Sequence, residues 1–304
     1  MRRFSMILGG LVLLAALGVA FIVVPARVQV RGVEPPLPTE HELRALLAVE
    51  DGPTALHYVN TSSQPVGAPS AERILGHTVF LAEWANGDLF MIDAGMDRAE
   101  AIEFGELMQT MGDAGDVEPH GSVAQLLGAN VERVAGVAYT HLHIDHSQGT
   151  LAFCEARGDG ASAYQTPFQA ELHNYNTEEG AAIVADSCLA TGELEGEPVA
   201  TANRFPGLGI VALGGHTPGS TLFAIPVDGH LWIFSGDITN SKRDLLEDIP
   251  KAWLYSNVLV PEHVERNAAL RSWLAALDAR SDMTVVVSHD LGDIQAIGLG
   301  EFQL

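Results

Sequence analysis

Apolar and polar positions follow three different rhythms along this chain, and each predicts a different kind of element. The first is an unbroken tract. From Phe4 to Val24 the residues are apolar with Ser5 the sole interruption; Arg2 and Arg3 stand before the run, and Pro25, Ala26 and Arg27 follow it. A run apolar on every side and about 20 residues long matches one bilayer crossing, so residues 1–27 are expected to form an N-terminal membrane anchor or signal segment. Val24-Pro25-Ala26 and Gly18-Val19-Ala20 fit small-residue cleavage sites. Phe21 to Val24, however, prolongs the run beyond a usual signal-peptide core, which favours an uncleaved transmembrane signal-anchor. The two leading arginines favour an inside start, placing the body outside the cytoplasm, anchored to the membrane or secreted if the segment is cleaved.

The second rhythm is short and strand-like. Thr78 to Glu83 and Leu89 to Asp93 are β-favouring runs separated by a turn in which Asn86-Gly87 supplies the positive φ angles of a tight hairpin. Val134 to Tyr139, Gly209 to Leu213, Ser220 to Pro226, Leu231 to Phe234 and Thr284 to Ser288 read as further strands, with Asp228-Gly229 as a turn. The third rhythm is helical: Asp97 to Met111, with Asp97 as N-cap, and Pro261 to Ala279, with Pro at its start. Between the first tract and these elements, residues 28–39 are Pro-rich and aperiodic and read as a spacer, leaving 40–304 as one catalytic domain. Gly158 to Ser162 and Gly192 to Pro198 read as exposed loops. Hairpin-linked strands interspersed with helices predict an α+β fold of layered sheets covered by helices.

Composition narrows the function classes. With 47% hydrophobic and 18% charged residues the chain is an ordinary globular one. Asp+Glu number 39 against Lys+Arg 16, and such an acidic surface repels phosphate backbones, which argues against nucleic-acid partners. Cys154 and Cys188 lack the spacing of a structural zinc site; a single bridge in an oxidising compartment and two buried thiols both fit.

The chemistry concentrates in Thr140-His141-Leu142-His143-Ile144-Asp145-His146, which follows a strand. In extended chain, His141 and His143 point to one side and can share one metal. A turn after Ile144, for which Gly149 is suited, would swing Asp145 and His146 toward a second metal. Imidazole nitrogen and carboxylate oxygen suit zinc and are also accepted by iron or manganese. His216, Asp237 and His289 each stand at the end of a later strand, where loops commonly position catalytic groups. His41, His57, His77, His120, His230 and His263 have no ligand-rich neighbours and read as surface or hydrogen-bonded core residues.

From about Thr78 to Asp290 the order of these motifs resembles the metallo-β-lactamase superfamily. Asp93, in Met91-Ile92-Asp93-Ala94-Gly95, matches the family's early Asp, which supports the metal loop, and His141, His143, Asp145 and His146 match its His-x-His-x-Asp-His signature. The resemblance implies an αβ/βα sandwich of two mixed β-sheets flanked by helices. It also implies two Zn²⁺ per chain: His141, His143 and His216 on one, Asp145, His146 and His289 on the other, and Asp237 bridging. The implied activity is hydrolysis of a small molecule by a metal-bridging hydroxide, with Asp145 orienting it and passing its proton to the leaving group.

Within the family, His143 argues against the flavodiiron branch, which has Glu there, and Asp237 argues against true β-lactamases, which generally lack that carboxylate. Glyoxalase II resembles the site but carries a helical extension after its last His, whereas His289-Asp290 resembles the lactonase pattern. A lactonase-like carboxylic-ester hydrolase is therefore the first expectation. A thioesterase or phosphodiesterase on the same fold is the alternative, then a β-lactamase or a non-catalytic metal-binding module. Lactonases also place a Tyr beside the metals, for which Tyr164 and Tyr175 lie in the right interval; Tyr164 reads rather as core, and Trp253 and Tyr255 as pocket-wall candidates.

Overall fold

Neighbouring side chains of one strand feed two different cores, and this organises the molecule. The computed structural model describes residues 2–67, 73–112 and 114–303, with side chains from residue 17 onward. Its strands are β1 (Ala55–Val66), β2 (Arg73–Glu83), β3 (Leu89–Ile92), β4 (Glu118–Pro119), β5 (Val134–Ala138), β6 (Ser162–Ala163), β7 (Ala190–Thr191), β8 (Ala200–Thr201), β9 (Gly209–Ala212), β10 (Thr221–Val227), β11 (His230–Phe234), β12 (Met283–Val286) and β13 (Gly300–Glu301). One sheet runs β13-β1-β2-β3-β5-β6-β7 with β4 alongside β1; the other runs β12-β11-β10-β9-β8. Both are mixed: β1, β2 and β3 are antiparallel and β5, β6 and β7 continue in parallel, while β12 joins β11 in parallel.

On β2, Phe80 and Ala82 face the space between the sheets with Phe90, Phe205, Phe223 and Phe234. Val79 and Leu81 face the other way, onto Leu127 and Phe153 from the helices Val123–Leu127 and Thr150–Arg157. On β10, Phe223 and Ile225 point inward, and Leu222 and Ala224 pack on Leu270 and Leu274 of the helix Val264–Asp278. The period of two thus builds helix, sheet, sheet and helix in layers, the αβ/βα sandwich the sequence implies.

The expected hairpin is β2–β3: Glu83 pairs with Leu89, and Gly87, at φ +88°, closes the turn by donating to Trp84 O. Asp97 caps the helix Arg98–Thr110 by accepting from the amides of Ala99 and Glu100. The long β1 was not foreseen, because its second half, Asn60-Thr61-Ser62-Ser63-Gln64, is polar yet almost wholly buried. Cys154 and Cys188 form a disulfide, which resolves the alternative left open by composition.

The transmembrane signal-anchor expected over residues 1–27 needs correction. Among the described residues no helix is long and apolar enough to cross a membrane. A helix does run Arg2–Arg31 straight through Pro25, but its last turns belong to the domain. Ala26 and Val30 are buried, Arg27 bonds to Asn257, and Gln29 donates to His173 O at 3.0 Å. Most of the Phe4 to Val24 tract has its side chains outside the described residues. The stretch 28–39, read as spacer, buries Val33 as well, and Arg266 donates to Pro35 O at 2.7 Å.

Candidate metal centre

The chain leaves β3, β5, β9, β11 and β12 at one edge of the sandwich, and the predicted site residues sit in those five exits. Asp93, just past β3, adopts φ +63°, a left-handed conformation that Asp tolerates better than most residues. It is fully buried and accepts from Thr140 N at 2.7 Å, Thr140 Oγ1 at 2.9 Å and His146 Nδ1 at 2.9 Å, tying the end of β3 to the loop after β5.

In that loop His141 and His143 do share a side, with His141 Nε2 and His143 Nδ1 2.9 Å apart. One helical turn, Ile144–Ser147, then swings Asp145 and His146 across. Gly149 follows, but positive φ is not the reason for glycine there: a Cβ on it would lie 2.0 Å from Ala94 O. Glycine is needed because two backbones touch.

His216 joins His141 and His143, while His289 lies 3.4 Å from Asp145 Oδ2 and 3.1 Å from His146 Nε2. Asp237 stands between the two groups: its carboxylate oxygens lie 4.0 Å from His216 Nε2, 3.7 Å from His146 Nε2 and 3.2 Å from His289 Nε2. All seven predicted residues are therefore gathered in one place.

Three of the imidazoles are held with the same nitrogen inward. His146 Nδ1 faces Asp93, His289 Nδ1 faces Gly76 O at 2.8 Å, and His216 Nδ1 faces Glu262 Oε1 at 2.6 Å. Each of these partners only accepts, so each Nδ1 carries a hydrogen and each Nε2 is the nitrogen turned to the centre. His216 Nε2 and Asp237 Oδ1 are buried without a hydrogen-bond partner. Unpaired buried acceptors are costly, and cations among these donors account for them. The ligand types and their spacing fit two divalent ions.

Protonation follows the same geometry. Burial, reinforced by neighbouring imidazoles, holds His141 well below the usual histidine range and His143 down at about 3. Burial and then Lys251 lower His216. Burial also opposes charge on His146, but Asp145, Asp93 and Asp237 together push it up to about 10, and His289 is raised for the same reason by Asp237 and Asp145. Asp145 and Asp237 stay below the ordinary carboxylate range because the surrounding histidines outweigh desolvation.

Three residues of the centre escaped the sequence reading. His77, assigned there to surface or hydrogen-bonded core, is buried on β2 with Nδ1 3.4 Å from Asp145 Oδ2. The available signal was a His in strand parity with Val79 and Leu81, on a face that should be apolar. Glu262 and Lys251 form a buried pair at 3.1 Å, and Lys251 also donates to Asp237 O at 2.6 Å. No local pattern marks either.

A cavity of about 220 Å³ opens on the second group, with Asp145, Asp237, His77 and His289 in its lining. Val66, Leu75, Phe104 and Met108 give it apolar wall, and Arg73, Asn240 and Tyr255 give it polar wall. Tyr164 is in the inter-sheet core against Phe90 and Phe205, Tyr175 donates to Val258 O at 2.9 Å, and Trp253 is exposed; of the aromatic candidates Tyr255 alone lines this cavity. A larger hollow of about 610 Å³, walled by Pro35, Phe168, Leu194 and Ile210, gathers no cluster of ligating side chains.

Residues 73–289 match the family profile described as metallo-beta-lactamase superfamily. No curated protein matches the chain. Among solved structures, an N-acyl homoserine lactone hydrolase with the product N-hexanoyl-L-homoserine bound at its catalytic metal center is similar at a TM-score of 0.56 and 15% identity, over 81% of this chain and 96% of that one. A quorum-quenching N-acyl homoserine lactone lactonase gives 0.55 and 14%, over 81% and 95%. A probable metal-dependent hydrolase from Staphylococcus aureus gives 0.51 and 18%, over 79% and 91%. At these identities the likeness is one of fold.

Proposed function

This chain belongs to the metallo-β-lactamase superfamily, and from that premise we propose that it is a two-metal hydrolase of small carboxylic esters, lactones in first place. His141, His143 and His216 would hold one ion and Asp145, His146 and His289 the other, with Asp237 placed between the two groups. Two divalent ions, zinc in first place and iron or manganese open to the same donors, supply carbonyl polarisation and a water made nucleophilic near neutral pH.

The side chains do the rest. Asp145, kept ionised by the histidines around it, lines the substrate cavity, orients the attacking water and takes its proton. It then returns that proton to the alkoxide that leaves the acyl carbon, so a lactone opens to a hydroxy acid. Val66, Leu75, Phe104 and Met108 receive the acyl chain, and Arg73, Asn240 and Tyr255 face the polar head.

The observation that carries this reading is a cavity with one apolar and one polar wall that opens directly on Asp145, Asp237 and His289. The test is hydrolysis by purified protein of an acyl-homoserine lactone, an acyl-thioester, a chromogenic phosphodiester and a β-lactam, with metal content measured on the same sample. Two metals per chain with chelator-sensitive lactone opening supports it. Arg73 in the wall favours a second reading, a small phosphodiester, and turnover of that substrate alone would replace the first. The Cys154–Cys188 bridge supports a further part of the proposal, a body that folds in an oxidising compartment outside the cytoplasm.

A further inference from the structure

His77 is not among the seven residues assigned above, yet it faces the same space from a different direction. It projects from within β2 rather than from one of the five strand exits, and only 2% of it is exposed. Phe104 and His289 hold its ring edge-on at 5.3 and 5.1 Å. Its Nδ1 is buried with no hydrogen-bond partner. A lone imidazole nitrogen in such a place costs free energy that an apolar side chain of similar size avoids.

The spacing of the neighbouring donors shows what offsets this cost. His77 Nδ1 lies 3.4 Å from Asp145 Oδ2, and His289 Nε2 lies 3.4 Å from the same oxygen. His146 Nε2 is 3.6 Å from that oxygen and 3.1 Å from His289 Nε2. Donors bound tetrahedrally at about 2.0–2.1 Å stand about 3.4 Å from one another. The candidate donor atoms of His77, Asp145 and His289 all lie within 4.8 Å of one another.

We propose that His77 is a further ligand of the second ion, through Nδ1, so that His77, Asp145, His146 and His289 surround that ion while Asp237 is shared with the first. The proposal rests on the two-metal reading above. It makes the two sites unequal: the second has one more nitrogen donor than the strand-exit residues supply, and is expected to retain its ion more firmly and to accept metals that take five ligands.

The test uses the full-length protein loaded with cobalt(II), whose paramagnetism shifts the ring N–H protons of coordinated histidines out of the ordinary proton NMR envelope. Six such resonances are expected in the wild type, from His77, His141, His143, His146, His216 and His289; five would overturn the proposal. In His77→Gln, and in His77→Phe, which refills the volume, one resonance disappears. The step of a zinc titration that fills the second site weakens by at least the ~10–100-fold that loss of an outer partner of a metal ligand costs, with the other step unchanged. Two tight steps in both variants, with all shifted resonances retained, would sink His77 as a ligand and leave the two-metal reading standing. Failure of the wild type to take up two ions would sink the reading beneath it.

Discussion

Glu262 Oε1 accepts the Nδ1 hydrogen of His216 at 2.6 Å, with both side chains almost closed to solvent. Ser256 donates to the other carboxylate oxygen at 2.5 Å, and Lys251, 3.1 Å from Glu262, reaches back to Asp237 O. One buried acid thus fixes the ring of His216, and its cationic partner fixes the backbone of Asp237. Burial opposes the charge on Glu262, but Lys251 and His216 hold its pKa at about 2.

Glu262→Gln is therefore expected to weaken the first metal site by about 10–100-fold, because a neutral amide oxygen accepts the His216 Nδ1 hydrogen less strongly than the carboxylate that sets its tautomer. It also leaves Lys251 buried without its counter-charge, and unfolding is expected about 3–5 kcal/mol more easily. In Lys251→Met the Glu262–His216 bond remains, so stability falls with less change in metal affinity. Competition titration against a chelator separates the two effects. Unaltered first-site affinity in Glu262→Gln would remove Glu262 from the positioning of His216.

For the protein stripped of metal the pKa shifts predict a stability maximum near neutral pH. His143 sits at about 3 and His141 and His216 are lowered, against an ordinary 6.5. Below 6.5 the unfolded chain binds more protons at these positions, so stability falls as pH drops toward 3. His146, pushed up to about 10, works in the opposite sense: its contribution is complete below 6.5 and fades as pH rises through 10. With metal bound the lone pair of His146 is occupied and the alkaline limb flattens. Thermal unfolding of chelator-treated protein from pH 4 to 10 checks this, and a Tm that moves in one direction throughout would refute it.

How much of this was legible beforehand depended on whether a residue's role was local. The strands β2, β3, β5, β9, β10, β11 and β12 announced themselves because each is a short apolar run bounded by turn residues. The seven ligand-type residues were readable because each follows such a run, so the strand ends that carried the inference also position the side chains. Glu262 and Lys251 were not, since their meaning arises only when the loop after β11 meets the segment just before the last long helix, and for His77 the one signal was its strand parity with Val79 and Leu81. β1 was missed because burial of Ser62 and Gln64 defeats a hydrophobic pattern; the Gln64 amide nitrogen donates to the carbonyls of Gly105 and Gly115, which are distant in sequence. The N-terminal tract misled in the opposite direction, since composition suited to lipid cannot reveal that Ala26 and Val30 pack on the protein.

The disulfide gives a prediction on stability alone. Cys154 and Cys188 enclose a sequence separation of 34 and link the helix Thr150–Arg157 to the segment beyond the helix Glu178–Ala185. In the chain-entropy account a loop of that size contributes about 3–4 kcal/mol. The Cys154→Ser, Cys188→Ser double variant is expected to unfold at lower denaturant with full metal content, because neither residue touches the centre. A midpoint unchanged from that of the oxidised wild type would show that the bridge adds nothing.

Gly149 gives the sharpest test of how the metal loop is held. Its backbone N–H donates to Gly95 O at 2.8 Å, and Ala94 donates to His146 O at 2.7 Å, so the strand carrying Asp93 and the loop carrying the histidines lie backbone against backbone. An added Cβ would meet Ala94 O at 2.0 Å, Ala94 C at 2.9 Å and Gly95 O at 3.1 Å, all main-chain atoms that no rotamer change can move. The φ of Gly149, −59°, suits any residue, so backbone strain is absent and the whole effect of Gly149→Ala is this collision. Overpacking of this kind costs about 1–3 kcal/mol where the surroundings can shift. The surroundings that shift here are the ones that hold His146 on Asp93, so the variant is expected to lose metal, the second ion first, along with stability. Gly300→Ala, where a Cβ meets nothing within 4 Å, is the control. Gly149→Ala protein that binds two ions at wild-type affinity would mean that the contact between the two backbones does not set the geometry of the centre.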